Sequence, residues 1–386
     1  MKRKGDLGAI ENGWIAYLCL QVTRQGQASY AHVHEIINGL RAEGLDVRLF
    51  QPEFSQEEEC PPLQRVVRFM QTQLRLFAAR PRPVQIYCRS HLLAFPTAIW
   101  AYLNKIPIIQ EINCPDTDLY IVWPVMRRFK RATTALTRWQ YRKADAVITV
   151  TDALADWARS SSGQTAVYVV ENGANTSVFR PEAASRDTGL GKYVVFFGAL
   201  APWQGLEYLL NATESSSWPK DTKLVIIGDG VRREIVVAAT EKSAQVIYLG
   251  SQPYAKVAGH AAAALASMVP MAEFGDRHAT GLSPLKLYES VASGVPVVVT
   301  DIAGQSDFVR KHDCGLVVPP GDPEAIAIAV ARLSSDPDLR ARLARNAVAV
   351  AELVSWKERA RDTFRVMQTI GPLPQCLDAP EGEARS

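Results

Sequence analysis

The sequence is poor in cysteine. Six are spread over 386 residues, at Cys19, Cys60, Cys88, Cys114, Cys314 and Cys376. No two form a C-x-x-C pair. A disulfide framework and a structural zinc site are therefore not expected, and a reducing cytosol fits. Long apolar runs are also missing. The longest, Ala261 to Ala272, falls well short of the ~18–20 residues a membrane span needs. Asp6 and Glu11 interrupt the stretch after the basic start, where a secretory signal would need an apolar core. Neither sign of charge dominates. Lys and Arg number 43 against 40 Asp and Glu, a formal net charge of +3, too mild to imply nucleic-acid binding. Hydrophobic residues at 47% and charged residues at 22% are ordinary globular usage, which excludes a disordered or fibrous chain.

What is present is alternation. Short β-rich runs at Trp14–Leu20, Val47–Phe50, Val84–Tyr87, Pro107–Ile112, Ala146–Val150 and Ala166–Val170 are separated by helical patterns such as Ala28–Glu43, Pro62–Ala79 and Thr151–Arg159. A second set follows at Tyr193–Phe197, Lys223–Ile227, Val246–Leu249, Leu265–Val269, Pro296–Thr300 and Gly315–Val318. Near-continuous apolar strands alternating with helices predict parallel sheets covered on both faces. Two sets predict two doubly wound α/β domains, Rossmann-like, facing across a cleft. The expected boundaries are 1–177 for the first domain and 178–354 for the second. Residues 355–371 are expected to form a closing helix packing back on the first domain, and 372–386 a disordered tail.

In such sheets the loops after the strands carry the chemistry. Gly228-Asp229-Gly230 follows a strand, but Arg233 stands where a dinucleotide fingerprint needs its third glycine. No P-loop lysine motif and no G-x-S-x-G elbow is present. The informative stretch is Gly281-Leu282-Ser283-Pro284-Leu285-Lys286-Leu287-Tyr288-Glu289. Ser283 is a natural N-cap and Pro284 suits the first helical position. The backbone N–H groups of Leu285 and Lys286 would then be open to an anion. A lysine in a first helical turn opposes the helix dipole, and a residue against its local rule is a functional candidate. Glu289, three residues on, shares its face. The bland reading is an exposed Lys286–Glu289 pair worth ~0.2–0.5 kcal/mol.

Further blocks give these residues a context. Val170-Glu-Asn-Gly-Ala-Asn-Thr-Ser-Val-Phe-Arg-Pro181 resembles the interdomain segment of the family 4 glycosyltransferases, which have the GT-B fold. Val195 to Leu210, Lys223 to Gly230, Val246 to Gly250, Ser283 to Val299 and Cys314 to Asp322 resemble the later blocks, in family order. The resemblance covers about residues 14 to 370 and is tighter in the second half. It implies a nucleotide-sugar donor of UDP or GDP type as substrate in the second domain, with a saccharide or lipid-linked saccharide acceptor in the first. It also implies retention of anomeric configuration, with no obligatory metal and no cofactor.

Carried over by residue, Glu289 matches the second glutamate of the family's E-x7-E motif, the one that holds the donor ribose. Gly281 stands where the first would be. The family's donor loop reads G-R-x-x-x-x-K-G. Here it runs from Gly198 to Gly205, with Ala199 and Gln204 in the two cationic places. Losing two charge-assisted bonds at ~1.5–3 kcal/mol each removes about two to four decades of affinity. Lys286 is the expected substitute, with Arg232, Arg277 and His278 behind it. In the first domain the resemblance assigns Gly26 to the loop after strand one, where Arg24 adds charge. It assigns Asn113 to the place where many members have a sugar-contacting histidine. Strand alternation puts Glu111 on the face of Asn113, so Glu111, Asn113 and Lys286 are the catalytic candidates. Arg89 is a candidate for the acceptor side. His32 and His34, two apart on a helix, cannot share a face, and packing or surface roles are expected of them. Asp116-Thr-Asp118 reads as helix capping, not a metal pair.

Leu119–Lys143 and Pro62–Pro83 contain no acidic residue and mix Arg and Lys with aromatic and aliphatic side chains. Such helices suit an anionic bilayer surface, which would make the enzyme cytoplasmic and peripheral on the inner face of the membrane. Two rivals remain from the sequence: a nucleotide-sugar epimerase or hydrolase on this fold, and a non-catalytic sugar-nucleotide-binding subunit of a polysaccharide assembly complex.

Overall fold

A computed structural model of the chain describes residues 13–23, 28–53, 61–184, 188–272 and 277–374, without the side chains of 121, 122, 277 and 278. Gly26 and Arg24, the Arg277 and His278 side chains, and the tail from 375 lie outside the described residues. The chain divides into two compact units, one of residues 1–171 with 359–386, the other of residues 172–358.

The first unit is built on a parallel sheet of β1 (Ile15–Cys19), β2 (Val47–Phe50), β3 (Gln85–Arg89), β4 (Ile108–Ile112), β5 (Ala146–Thr149) and β6 (Val167–Val169). Its order is β2-β1-β3-β4-β5-β6. The second holds β7 (Tyr193–Phe197), β8 (Lys223–Ile227), β9 (Val246–Tyr248), β10 (Ser267–Val269), β11 (Val297–Thr300) and β12 (Gly315–Val318), in the order β12-β11-β10-β7-β8-β9. Every pairing is parallel. All twelve expected strands are present, and both orders are doubly wound α/β topologies.

The central strands are buried on both faces. β1, β4 and β7 are buried at every position, because crossover helices cover both sides of a parallel sheet. On one face of the first sheet Ala16, Leu18, Ile86, Cys88, Ile108 and Val147 form an apolar core with Trp14. On one face of the second, Val194, Phe196, Leu224, Ile226 and Met268 pack on Leu206 and Leu209 from one covering helix and Val330 from another.

The observed division falls at Glu171/Asn172, six residues before the boundary expected from composition. Hydrogen bonding explains it. The Asn172 backbone N–H reaches Ser283 Oγ at 3.2 Å, and its Nδ2 donates to the Ser283 carbonyl at 2.6 Å. Ala174 pairs with Ser355 as an isolated parallel bridge. The helix Trp356–Ile370 leads back into the first unit. There Gln85 Nε2 donates to the Met367 and Gly371 carbonyls at 3.0 and 3.2 Å, and Arg361 pairs with Glu43 at 3.0 Å.

In each sheet the strand order reverses beside the first strand, between β1 and β3 and between β7 and β10. Such switch points are where open α/β sheets leave room for a ligand outside their carboxyl ends. At the second, the chain leaving β7 runs hard against the chain leaving β8. Gly228 has φ +140°, and a Cβ there would overlap the Gly198 carbonyl. Gly228→Ala is therefore expected to lose about 3 kcal/mol or more in urea unfolding. Gly163→Ala, at a left-handed helix end with nothing within 4 Å, should lose only about 1–2 kcal/mol. Equal losses would show that the close approach of these two loops does not matter.

Candidate functional site

Two polar clusters lie at these switch points. In the second unit the loop after β7 forms a short 3-10 turn, Pro202–Gln204, closed by Gly205 in the left-handed region. Gly205 lies close to the chain leaving β10, where an added Cβ would meet the Pro270 carbonyl carbon at 3.1 Å. This turn presents Gln204 to the helix Leu285–Ala292. Lys286 Nζ donates to Gln204 Oε1 at 2.5 Å and lies 3.7 Å from the centroid of the Phe196 ring. A Cβ at Gly198 would stand 3.4 Å from Lys286 Cε. Glu289, one turn along, accepts from the Tyr254 hydroxyl at 2.7 Å. Gly198, Gln204, Gly205, Lys286 and Glu289 thus cluster around the carboxyl end of β7.

Both charged side chains are buried, Lys286 at 6% and Glu289 at 8% exposure, which overturns the bland reading of an exposed pair. Among the described residues they make no ion pair with each other. Burial pushes the Lys286 ammonium down to about 7, against the pull of Glu289. Burial likewise pushes the Glu289 carboxyl up to about 7, against the Tyr254 hydrogen bond and the Lys286 charge.

The start of the helix departs from expectation. Pro284 occupies the N-cap in extended conformation (φ −72°, ψ 131°), and the helix begins at Leu285. Ser283 does not cap. Its hydroxyl is engaged with the Tyr288 hydroxyl at 2.8 Å and accepts from the Asn172 N–H. The amides at the helix start are still those of Leu285 and Lys286, which have no carbonyl one turn back within the helix. Leu282 N–H donates to the Ala303 carbonyl at 2.8 Å, fixing the approach to the helix. Gly281 has φ +78°, a left-handed backbone closing the short helix Arg277–Thr280. A glutamate would be strained there, so the departure from E-x7-E is built into the backbone. Arg232 is held by Glu207 at 3.2 Å.

In the first unit the register of the parallel sheet sets Cys19 beside Arg89 and Arg89 beside Glu111. Glu111 is 1% exposed and surrounded by donors. Arg89 Nη1 lies at 2.7 Å, His32 Nε2 at 3.0 Å, Tyr87 OH at 2.7 Å and Tyr17 OH at 3.4 Å, and Asn113 Nδ2 also donates. Arg89 Nε donates onward to Gln21 Oε1 at 3.0 Å. Burial opposes the Glu111 charge, but His32 and Arg89 override it and hold the carboxyl well below the usual carboxylate range. Glu111 and Asn113 do share a face. A carboxylate this enclosed is an anchor for Arg89, Asn113 and His32.

Several participants escaped the sequence reading. His32 was expected to pack or face solvent, yet it contacts Glu111. Tyr17 and Tyr87, stacked at 4.9 Å, left a signal that went unused. A tyrosine inside a run of apolar strand residues needs a buried partner for its hydroxyl. Tyr254 and Phe196 left none. Asp118 opens the short helix Asp118–Val122, whose N-cap residue Thr117 makes no side-chain cap bond. No group of three or more His, Cys, Asp or Glu among the described residues is placed to hold a metal.

Each unit thus carries a polar cluster at the switch point of a doubly wound sheet, the place where such sheets hold ligands. Residues 191–336 match the family model described as glycosyl transferases group 1, and residues 31–178 match that of glycosyltransferase family 4. The chain belongs to the family 4 glycosyltransferases. It is 25% identical over 366 residues to phosphatidyl-myo-inositol mannosyltransferase of Mycobacterium leprae, covering 88% of this chain and 92% of that protein. It is 26% identical over 275 residues to alpha-D-kanosaminyltransferase of Streptomyces kanamyceticus, covering 66% and 68%. Among solved structures, sucrose-phosphate synthase from Thermosynechococcus elongatus superposes with TM-score 0.76 at 17% identity, covering 93% and 99%. Anabaena HepE in complex with UDP-glucose gives 0.66 at 17% identity, covering 92% and 99%.

The Glu111 cluster makes a stability prediction. A carboxyl with a depressed folded pKa contributes stability that is present above its unfolded value, about 4.3, and lost as pH falls toward the folded value. Glu111→Gln leaves Arg89 buried without its counter-charge and should lose about 3–5 kcal/mol at pH 7. The gap to wild type should narrow as pH drops below about 4. A gap that is small at pH 7, or constant down to pH 3, would contradict the anchoring role.

Proposed function

We propose that this glycosyltransferase moves a hexose, with retention, from a nucleotide-diphosphate sugar to a saccharide or lipid-linked saccharide acceptor in glycan biosynthesis. The observation that carries the reading is the buried Lys286 beside Gly198 and Gln204 at the carboxyl end of β7. It supplies a cation at the donor loop, which has itself lost both of the family's cationic residues. In this reading the diphosphate lies against the Lys286 amine and the Leu285 and Lys286 amides. They stabilise the leaving group as the bond from the anomeric carbon to the phosphate oxygen breaks. The acceptor oxygen attacks on the face the diphosphate leaves, and its proton passes to the departing phosphate. Glu289 accepts from the ribose hydroxyls, with Tyr254 fixing the carboxylate. Gly281 and Leu282 form the floor beneath the sugar. Within the first unit, Asn113 and Arg89, both held by Glu111, are the groups proposed to bind saccharide. Glu111 acts as a positioning residue.

For the acceptor we propose a lipid-linked saccharide reached at an anionic membrane surface, with the enzyme in the cytoplasm. The helix Pro62–Ala78 buries Phe69, Thr72, Gln73 and Leu76. Its other face exposes Leu63, Val66, Val67, Met70 and Leu74, a stripe at helical spacing. Arg65, Arg68 and Arg75 belong to the same helix. The 3-10 segment Pro124–Phe129 adds exposed Val125 and Phe129 with Arg127 and Arg128. Apolar stripes flanked by arginine favour anionic headgroups. No helix among the described residues is long and apolar enough to cross a membrane.

Lys286→Ala should weaken binding of the matching nucleotide, UDP or GDP, by tenfold or more in calorimetry; a change under threefold contradicts the assignment. Nucleotide release from the sugar donor should depend on an added acceptor. Release without acceptor would favour an epimerase or hydrolase, and nucleotide binding without any turnover a non-catalytic subunit. For the membrane, phosphatidylglycerol vesicles should co-sediment the enzyme and phosphatidylcholine vesicles should not, with Leu63→Glu/Leu74→Glu abolishing the difference. Equal sedimentation with both vesicles would end that proposal.

A further inference from the structure

Lys286 is a lysine held out of water, 6% exposed. Its amine donates to the neutral amide oxygen of Gln204 at 2.5 Å and lies over the Phe196 ring at 3.7 Å. Among the described residues no carboxylate is within ion-pair distance of it. The charged group that bears on it is Glu289 of its own helix, which the Tyr254 hydroxyl engages. Among the described residues, Phe196 and the Gly198 backbone face it from the sheet side, and Gln204 from the loop. Amide oxygen and ring face hold an ammonium more weakly than an adjacent carboxylate would, because neither carries a formal charge. Burial outweighs them and the more distant Glu289, and favours the neutral amine.

We propose that Lys286 captures the donor diphosphate by taking up a proton, with Gln204 and Phe196 as positioning residues that keep the amine at the end of β7 until the anion arrives. The inference rests on the donor reading above. The proton comes from solvent, and no bond other than N–H forms. Glu289 works in the opposite sense. If ribose hydroxyls donate to it, its charged form is favoured and it releases a proton. Burial moves the Lys286 amine down and the Glu289 carboxyl up, both toward neutrality. On the alkaline side the amine is the group short of a proton, so binding at pH 8 should take up protons net. On the acidic side the carboxyl is the group with a proton to lose, so binding at pH 6 should release them.

The test is calorimetry of the full chain with UDP-glucose and GDP-mannose, whose diphosphate esters carry no proton titrating in this range. Each titration is run in paired buffers of unlike ionisation heat, Tris and HEPES at pH 8, and a corresponding pair at pH 6. Uptake at pH 8 and release at pH 6 are expected in the wild type. Lys286→Arg, charged throughout, should bind with no uptake at pH 8 yet keep the release at pH 6. Lys286→Met should lose the uptake together with most of the affinity. Glu289→Gln should keep the uptake and lose the release. Binding without buffer dependence at pH 8, or unchanged uptake in Lys286→Arg, overturns the inference and leaves the donor site standing. Failure of the wild type to bind either donor removes both.

Discussion

Burial of the Lys286 amine against Phe196 and Gln204 is the constraint on which the second unit's site depends. It requires the loop after β7 to pass between the chains leaving β8 and β10, which sidechain-free backbone at Gly198, Gly205 and Gly228 permits. It requires the helix Leu285–Ala292 to start at Leu285, so that Lys286 lies in the first turn while its side chain reaches the end of β7. It also requires Ser283 to be tied to Asn172 and Tyr288 instead of capping. The result is an amine resting on a neutral acceptor and an aromatic face, beside two open amides. The amine and the amides are groups that favour an anion, and they assemble at a sheet switch point.

The first unit solves a different problem. Glu111 is an acid inside an α/β sheet, where an uncompensated charge would be strongly destabilising. Five donors from β1, β3, the chain after β4 and the helix Ala28–Ala42 surround it. The carboxylate in turn fixes Arg89 and Asn113 at the carboxyl ends of their strands. The two units therefore treat buried charge oppositely. One saturates its acid with donors, and the other, among its described residues, sets no carboxylate at ion-pair distance from its base. Saturation suits a scaffold that must not move. A base resting on neutral groups suits a site whose partner arrives with the substrate.

Much of this was legible in the sequence. The twelve strands were, because buried parallel strands are continuous apolar runs punctuated by turn residues. The prominence of Lys286 was, because a lysine in a first helical turn breaks a local rule. Its bond to Gln204 was not, since the two are 82 positions apart and only the packing of loop on helix joins them. The Ser283 cap failed for the same reason. Local capping preference lost to a long-range partner, Asn172, invisible to any short window. His32 was missed because helical periodicity gives the face of a residue but not what lies opposite. The boundary at 171 rather than 177 was set by hydrogen bonds that composition does not record.

The central claim is that the Lys286 amine leaves Gln204 for the donor diphosphate. The direct test is a crystal structure of the full chain with its matching nucleotide, UDP or GDP, bound. The account predicts Lys286 Nζ at about 2.7–2.9 Å from a phosphate oxygen, the range of charge-assisted bonds, with the Glu289 carboxylate on the ribose hydroxyls. A nucleotide bound with Lys286 still on Gln204, and its phosphates held elsewhere, would contradict it.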